Sequence, residues 1–294
     1  MSQDSSDVVN ATVRRWQLTE TLRQLREHAG LTIEQAVERL RRGPSAWSRS
    51  KLGRIETRVQ GVRVREVEQL LDLYDVTEAS LRGWLLDLAA TAQERGYWLA
   101  IRRDLPEDFH GFLSVEAALV ALRQCETMLI PGLLQTADFT RALIAGASPG
   151  LAADVVERRV MARLARQQIL TRDNPLHLHV ILDEAILERP IGTSAIMHNQ
   201  LRRLIDESAA DHITVQVLPK EAGASPAMDG PFSVLSLPEP IPDLGYMEGP
   251  GGAVYIEDRE LVRMCIVKWG VLAEQALSPA DSVDVIKEAA KAYL

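Results

Sequence analysis

Residues 31–58 constrain the fold of this chain more than any other segment. Thr32 suits the N-cap of a short helix, because its hydroxyl can accept a backbone N–H of the first helical turn. Gly43-Pro44 breaks that helix, and a second short helix is predicted from about Ser48 to Thr57. The first helix is amphipathic, with apolar residues at helical spacing: Ile33, Ala36, Val37 and Leu40.

Helical spacing continues on both sides of this pair. Residues 18–29 carry leucines three or four positions apart and end before Gly30. Further helices are predicted at about 64–74 and 78–95. Four or five short helices within about 75 residues predict a compact all-α module.

The helix predicted from Ser48 to Thr57 has two unlike faces. Leu52 and Ile55 fall on one side and can be buried against neighbouring helices. The opposite side is polar and cationic, and it carries Arg49, Ser50, Lys51, Gly53 and Arg54. Arginine can pair with two guanine acceptors, and either basic residue can neutralise phosphate. Such a face suits a DNA major groove, although the helix alone is equally compatible with an ordinary solvated surface.

Charge is distributed unevenly along the chain. The net charge is −8, yet eight basic residues and one acidic residue lie between Arg41 and Arg65. Residues 10–75 carry +4 and residues 76–294 carry −10. A basic block on an acidic body indicates a local anionic partner and argues against a protein that coats nucleic acid along its whole surface. A solvated charged surface is the alternative.

Three blocks in this region carry a resemblance to a known family. LRQLREHAGLT (22–32), SRSKLGRIE (48–56) and VEQLLDLYDV (67–76) resemble the XRE-type helix-turn-helix repressors, which include the lambdoid phage repressors. The resemblance implies a lambda-repressor-like helical bundle that binds DNA, which we assign to residues 11–77. Residues 1–10 are expected to form a disordered tail, and residues 78–96 a connecting helix.

The resemblance also implies roles for individual residues. The third helix of the bundle would enter the major groove, so that base reading falls to Arg49, Ser50 and Arg54. Arg26 and Glu56 match a structural ion pair between helices, so neither is given a DNA role. Contacts to the DNA backbone are implied for Thr32, Gln35, Lys51, Arg58 and Arg63.

The turn between the second and third helices departs from the family. It spans Arg41 to Trp47, whereas three or four residues are usual, and this leaves the tilt of the third helix open. Either the second helix runs on to Arg42 or the turn bulges outward, and Arg41 and Arg42 could become extra phosphate contacts. Trp47 is expected to fill the core of the bundle and not to stack on a base.

Residues 97–294 have a different pattern and predict an α+β domain with one antiparallel or mixed sheet. Helices are expected at about 114–127, 136–145, 151–171, 193–210, 258–275 and 279–293. GPGG (249–252) between two strand-like runs predicts a hairpin turn. The strands are predicted at 176–182, 213–219, 232–237, 244–248 and 253–257.

A few polar residues interrupt apolar stretches of this domain. Glu126, Arg166, Gln167 and Glu184 could line a pocket for a ligand or partner. They could equally be helix caps or interhelix hydrogen-bond partners. His177 and His179 share one face of a strand, but no further ligands accompany them, so we expect solvated histidines and no metal site. No catalytic motif is present, and neither an enzyme nor a cofactor is expected.

The second domain has a resemblance of its own. PGLLQT, RLARQQIL, LDEAIL, NQLRRL, ITVQVLP, GPFSVLSL and VYIED occur in that order. They resemble a C-terminal domain of unknown function that commonly follows such helix-turn-helix modules in regulators of high-GC Gram-positive bacteria. The resemblance implies transcriptional regulation and, in some members, an antitoxin-like role beside a small partner protein. It assigns no catalytic residues.

Taken together, the patterns predict a regulator that binds a palindromic DNA operator as a homodimer. The acidic domain would sense a small-molecule effector or a protein partner. The alternatives are an antitoxin-like interaction protein that also regulates its own gene, and an enzyme with an appended DNA-binding module.

The two cysteines do not form a disulfide framework, and both are expected to be buried and reduced. No apolar run approaches the length of a membrane span, so a cytoplasmic protein is expected.

Overall fold

A computed structural model of the chain describes residues 11–41, 46–91, 115–249 and 252–294. The described chain forms two compact units. The first is all-helical, and the second has a mixed six-stranded sheet with helices, which confirms the predicted fold class. The expected tail at 1–10, the middle of the turn between the second and third helices, and residues 92–96 of the expected connecting helix lie outside the described residues.

The helical unit consists of five helices in the described residues: α1 (Ala11–His28), α2 (Ile33–Leu40), α3 (Arg49–Glu56), α4 (Val64–Leu73) and α5 (Ala79–Thr91). Residues 115–118 and 238–242 also belong to this unit. The cap predicted at Thr32 forms, since its hydroxyl accepts a hydrogen bond from a backbone N–H of α2, and Ser48 does the same at the start of α3. These caps fix where the two short helices begin.

Apolar faces of all five helices meet in one core. Leu22, Val37, Ile55, Leu71 and Leu85 contribute to it, one from each helix, and each is at most 3% exposed. Trp47 lies in the same core, and its indole Nε1 donates to Gln69 Oε1 at 2.9 Å. Because Leu85 and Leu88 of α5 pack here, the segment expected to connect the domains contributes to the helical bundle itself.

The second unit is built on six strands in the order β3-β2-β1-β4-β5-β6. The three strands β1, β2 and β3 run parallel, whereas β4, β5 and β6 are joined antiparallel at the other side of β1. Pro250 and Gly251 of the predicted hairpin turn lie outside the described residues. The strands are β1 (Ala121–Glu126), β2 (His177–Asp183), β3 (Ile213–Leu218), β4 (Phe232–Ser236), β5 (Leu244–Gly249) and β6 (Gly252–Ile256).

Helices cover this sheet. Trp269 and Leu272 of α10 pack on Cys125, Ile181 and Phe232 of the sheet, which forms a second apolar core. Helix α11 packs against β3 and α9. The helices are α6 (Ala137–Ala147), α7 (Ala153–Arg166), α8 (Ala185–Glu188), α9 (Ser194–Glu207), α10 (Arg259–Gln275) and α11 (Pro279–Lys291), with 3₁₀ turns at Gly132–Leu134, Gln167–Leu170, Lys220–Ala222 and Pro226–Asp229.

The helix predicted at 114–127 is wrong, because β1 occupies Ala121–Glu126. The alanine-rich run has helical spacing, but Cys125 pairs with Ile181 of β2 on one side and with Phe232 of β4 on the other. Backbone groups bonded on both sides of a central strand outweigh a local helical preference. Cys125 is therefore a buried strand residue, and Cys265 is a half-buried residue of α10.

None of the helices in the described ranges is long and apolar enough to cross a membrane.

Candidate nucleic-acid interface

Helix α3 is held in the helical unit by one face. Ser48 Oγ accepts from the backbone N–H of Lys51 at 3.1 Å and starts the helix. Leu52 and Ile55 are at most 1% exposed and point into the core. Because this side is buried, the opposite side of α3 is turned outward.

The outward face gathers the three residues predicted to read bases. Arg49, Ser50 and Arg54 are all exposed. Arg54 lies along the helix surface, where its Nη1 donates to Ser50 Oγ at 2.9 Å and its Nε donates to Gln60 Oε1 at 3.1 Å. A Cβ atom added to Gly53 would meet nothing within 4 Å. The outward face of α3 therefore carries two arginines and no side chain at Gly53. This arrangement leaves room for the edge of a base to approach.

A carboxylate that the sequence analysis did not single out stands beside Arg49. Arg49 Nε lies 2.8 Å from Glu34 Oε1, and both side chains are more than half exposed. The pKa of Glu34 is lowered, first by a hydrogen bond from its own backbone N–H and then by the charge of Arg49. Because the two residues lie on different helices, their spacing in the sequence gives no sign of this pair.

Thr32 and Gln35 form a capping box at the start of α2. Gln35 N donates to Thr32 Oγ1 at 3.2 Å, and Thr32 N donates to Gln35 Oε1 at 2.9 Å. Both residues are exposed, and the amide group of Gln35 keeps donors for a DNA phosphate, whereas the Thr32 hydroxyl also bonds to the Glu34 carboxylate. Arg63, immediately before α4, is also exposed.

Lys51, a predicted phosphate contact, turns towards the protein. Its Nζ lies 2.5 Å from Glu66 Oε1 and 4.6 Å from the ring centroid of Trp47. Glu66 Oε2 also accepts from the backbone N–H of Arg63 at 2.9 Å. Burial raises the pKa of Glu66, but these hydrogen bonds outweigh it and the pKa is lowered overall. The ammonium group thus neutralises an internal carboxylate.

Arg58, another predicted phosphate contact, also points inward. Its backbone φ is 65°, in the left-handed region, just after the end of α3. The side chain is 10% exposed, with Nη2 3.7 Å from Glu20 Oε2 and the guanidinium carbon 4.8 Å from the ring centroid of Trp16. The other three residues predicted to contact the DNA backbone are exposed: Thr32, Gln35 and Arg63.

Arg26 and Glu56 join α1 to α3. Arg26 Nε and Nη2 donate to the two carboxylate oxygens of Glu56 at 2.7 and 2.9 Å. Arg26 Nη1 also donates to the carbonyl of Leu31 at 2.7 Å. The side chains are 10% and 5% exposed, and the hydrogen bond to Glu56 is the main reason that the pKa of Arg26 is raised. This bidentate pair orients α3 and takes Glu56 away from any DNA-facing position.

We expect Glu34→Gln to tighten DNA binding only slightly, because an exposed ion pair contributes little. The substitution removes the partner that competes for Arg49 and also removes a charge that phosphate repels. Fluorescence anisotropy at low salt measures the effect. Glu38→Gln, an exposed carboxylate one turn further along α2, is the matched control. Unchanged or weaker binding by the Glu34 variant would show that Arg49 does not leave Glu34 for DNA.

The four polar residues predicted to line one pocket are not brought together as one group. Gln167 Nε2 donates to the carbonyls of Gly132 and Gln135 at 3.1 and 2.7 Å and so anchors the 3₁₀ turn at 132–134. Arg166 is buried beside the same turn. Both residues therefore connect separate segments of the fold, which is one of the two roles that the sequence left open.

Glu184 lines a cavity of about 610 Å³ together with Leu187, Glu188, Glu288 and Tyr293. A second cavity of about 420 Å³ lies where β2 and β3 end and is lined by residues that include Asp183, Leu218 and Lys220. Glu126 lines neither cavity. Burial and, to a smaller extent, the nearby charge of Glu248 raise the pKa of Glu126 to about 7, against a hydrogen bond from Gln124.

His177 and His179 differ in environment. His177 is exposed, as expected of a solvated strand histidine. His179 is half-buried, with Nε2 2.6 Å from Gln216 Oε1 and its ring edge-on to Trp269 at a centroid distance of 5.0 Å. Burial lowers the pKa of His179 despite the hydrogen bond to Gln216. The expectation of a solvated side chain is wrong for His179, because α10 covers that face of the sheet.

Comparison with known families gives two matches. Residues 17–84 match a family described as "Helix-turn-helix domain", which takes in α2, α3 and α4. Residues 109–288 match a family described as "Domain of unknown function (DUF5753)". No curated protein and no solved structure matches the chain.

Proposed function

The chain belongs to the DUF5753 family and carries an N-terminal helix-turn-helix domain, and we propose that it is an XRE-type transcriptional regulator that reads a specific operator sequence. The helix-turn-helix domain makes it a DNA-binding regulator. The observation that carries the finer proposal is the outward face of α3, where Arg49, Ser50 and Arg54 are exposed opposite a buried face.

Two of these side chains would be used differently. Arg54 is held by Ser50 and Gln60, so its guanidinium is already oriented and loses little freedom when it meets a guanine edge. Arg49 is paired with Glu34 and has to exchange that carboxylate for a base or phosphate. The outward face of α3 thus offers two arginines for base contacts. Arg54 is already oriented, whereas Arg49 first has to leave the Glu34 carboxylate.

Phosphate contacts would fix the position of α3 without reading sequence. Thr32 and Gln35 at the start of α2 and Arg63 before α4 are the exposed candidates, while Lys51 and Arg58 stabilise the bundle. A single module of this size makes few contacts. We therefore propose that two copies bind the two halves of a palindromic site, because linked half-sites raise affinity well above that of either half alone.

Replacement of Arg63 by alanine is expected to weaken binding to specific and random DNA by the same factor. It should also lower the slope of log K against log salt concentration by about one, as expected for one lost phosphate contact. Anisotropy titrations of both duplexes at several salt concentrations measure this. Arg202→Ala, an exposed arginine of α9, is the matched control. A selective loss on specific DNA alone would instead assign Arg63 to base reading.

We further propose that the DUF5753 domain senses an effector, supported by the cavities beside Glu184 and at the ends of β2 and β3. We propose no catalytic step, since the perturbed carboxyl of Glu126 lines neither cavity. The antitoxin-like alternative makes a different prediction, in which a small protein co-purifies stoichiometrically from the native host. Purification without such a protein, followed by mass spectrometry of bound small molecules, tests the effector proposal.

A further inference from the structure

Helix α10 exposes an apolar stripe on the side away from the sheet. Leu261, Met264, Val267 and Val271 are between 39% and 59% exposed. They recur at intervals of three or four residues and therefore lie along one face of the helix. Trp269 and Leu272 on the other face are buried against the sheet. Helix α10 is thus apolar on two faces, of which one packs on the sheet and the other is exposed.

The hairpin of β5 and β6 extends this stripe. Gly245 and Ile256 pair across the hairpin and face α10, since a Cβ atom on Gly245 would lie 3.4 Å from Cys265 Sγ. Met247 and Val254 form the pair two residues further along and so face the same way. They are 39% and 59% exposed. The helix and the hairpin together thus expose six large apolar side chains, and contiguous exposed apolar patches of roughly 300–600 Å² are often functional in soluble proteins.

Charges beside the stripe specify how a second copy would fit. Arg263 and Glu274 are exposed and eleven residues apart, which is about three helical turns, so they lie on the same flank of α10. In an antiparallel pair of α10 helices, Arg263 of each copy faces Glu274 of the other. In a parallel pair, like charges would meet. The flank is therefore self-complementary only under two-fold symmetry with antiparallel helices.

Gly270 supports a close approach at the centre of the stripe. Glycine is unfavourable inside a helix, and a Cβ atom at this position would meet nothing within 4 Å. Packing within this unit therefore gives no reason for its presence. Gly270 adjoins Val271 and lies one turn after Val267, so its missing side chain lets a second backbone come near the middle of the patch.

We propose that α10 of two copies pairs antiparallel about a two-fold axis near Val267 and Gly270, with Met247 and Val254 at the rim. The occupant is a second copy of this chain, because the flanking charges complement themselves. This inference rests on the proposed dimeric regulator and names the surface that forms the dimer. A stable interface buries roughly 800 Å² per partner, so the charged flank and the hairpin have to take part in it beside the stripe.

The first test is the oligomeric state of the full chain without DNA, measured by light scattering and sedimentation across a concentration series. The wild type is expected to be dimeric, and Val267→Glu is expected to be monomeric with an unchanged circular dichroism spectrum. Arg202→Glu, at an exposed position of α9, is expected to stay dimeric. A monomeric wild type, or a dimeric Val267→Glu variant, would overturn the proposal.

Charge exchange gives the second test. Arg263→Glu and Glu274→Arg should each raise the dimer dissociation constant about tenfold or more, because each places like charges opposite one another. The double variant restores opposite charges and is expected to return to within about threefold of the wild type. Additive loss in the double variant would contradict antiparallel pairing.

Failure of the dimer surface and failure of DNA recognition can be told apart. The α10 variants are scored without DNA, whereas binding of one half-site depends on α3 and should be the same for Val267→Glu and the wild type. Loss of dimerisation with half-site binding retained supports the surface. Dimerisation that survives every α10 variant rejects the surface, whatever the DNA result.

Discussion

Replacement of Glu56 by alanine is expected to destabilise the helical unit by about 3–5 kcal/mol. The substitution leaves Arg26 with a charge that is 90% shielded from solvent, and it removes both hydrogen bonds that join α1 to α3. Arg26 Nη1 would keep its bond to the carbonyl of Leu31, so the guanidinium cannot simply turn out to water without a further loss. Arg26→Ala should cost a similar amount, since it leaves the Glu56 carboxylate buried.

Hydrogen exchange resolved by segment measures this effect, because it reports on the helical unit separately from the sheet. Amides of α1 and α3 are expected to lose protection, while those of β1 to β3 keep it. Arg26→Met/Glu56→Leu, which removes both charges and keeps the volume, should be more stable than either single variant. Equal protection in the wild type and Glu56→Ala would contradict the structural role of the pair.

Replacement of Arg49 or Arg54 by alanine is expected to lower discrimination between the operator and its single-base variants. The expected loss is about 1–3 kcal/mol for each arginine, since each can form a bidentate contact to a guanine edge. The loss should be confined to one or two base positions for each variant. Arg49 and Arg54 are five residues apart on α3, about 1.4 helical turns along its axis, so they are expected to read different positions.

Anisotropy titration against a panel of single-base substitutions measures this discrimination. Arg65→Ala, an exposed arginine of α4, is the matched control and should leave the preference for each base unchanged. A uniform loss of affinity at every sequence in the Arg49 and Arg54 variants would make those residues phosphate contacts. The outward face of α3 would then position the protein without reading bases.

Local patterns predicted much of the helical unit. Thr32 is a capping residue whose hydroxyl is needed within one turn of its own position, and the predicted cap forms. The faces of α3 followed from helical spacing, because Leu52 and Ile55 have to be buried together. Helix caps and helix faces depend on residues within about four positions of each other in the chain. They can therefore be predicted from one sequence.

The positions that were not predicted depend on distant partners. Lys51 and Arg58 read as surface cations, but Glu66 and Glu20 draw them inward from other helices. Glu34 meets Arg49 for the same reason. A cation's sequence neighbours do not reveal which carboxylate the fold will bring beside it.

The sheet shows the same limit on a larger scale. β1 was taken for a helix because ALRQCE (121–126) lacks the alternation of apolar and polar residues that marks a half-buried strand. Its strand conformation is set by β2 and β4, which begin more than 50 and 100 residues later. For Gln167 the sequence left a pocket role and a structural role open, and the fold brings Gly132 and Gln135 within its reach.

Selection of binding sites from a random duplex pool tests the central claim most directly. The wild-type chain is expected to enrich a palindromic sequence whose half-sites contain guanines, as the arginines of α3 require. The Arg49→Ala/Arg54→Ala variant is expected to enrich no sequence while it keeps weak, salt-sensitive binding to any DNA. Enrichment of the same sequence by both proteins would contradict base reading by α3.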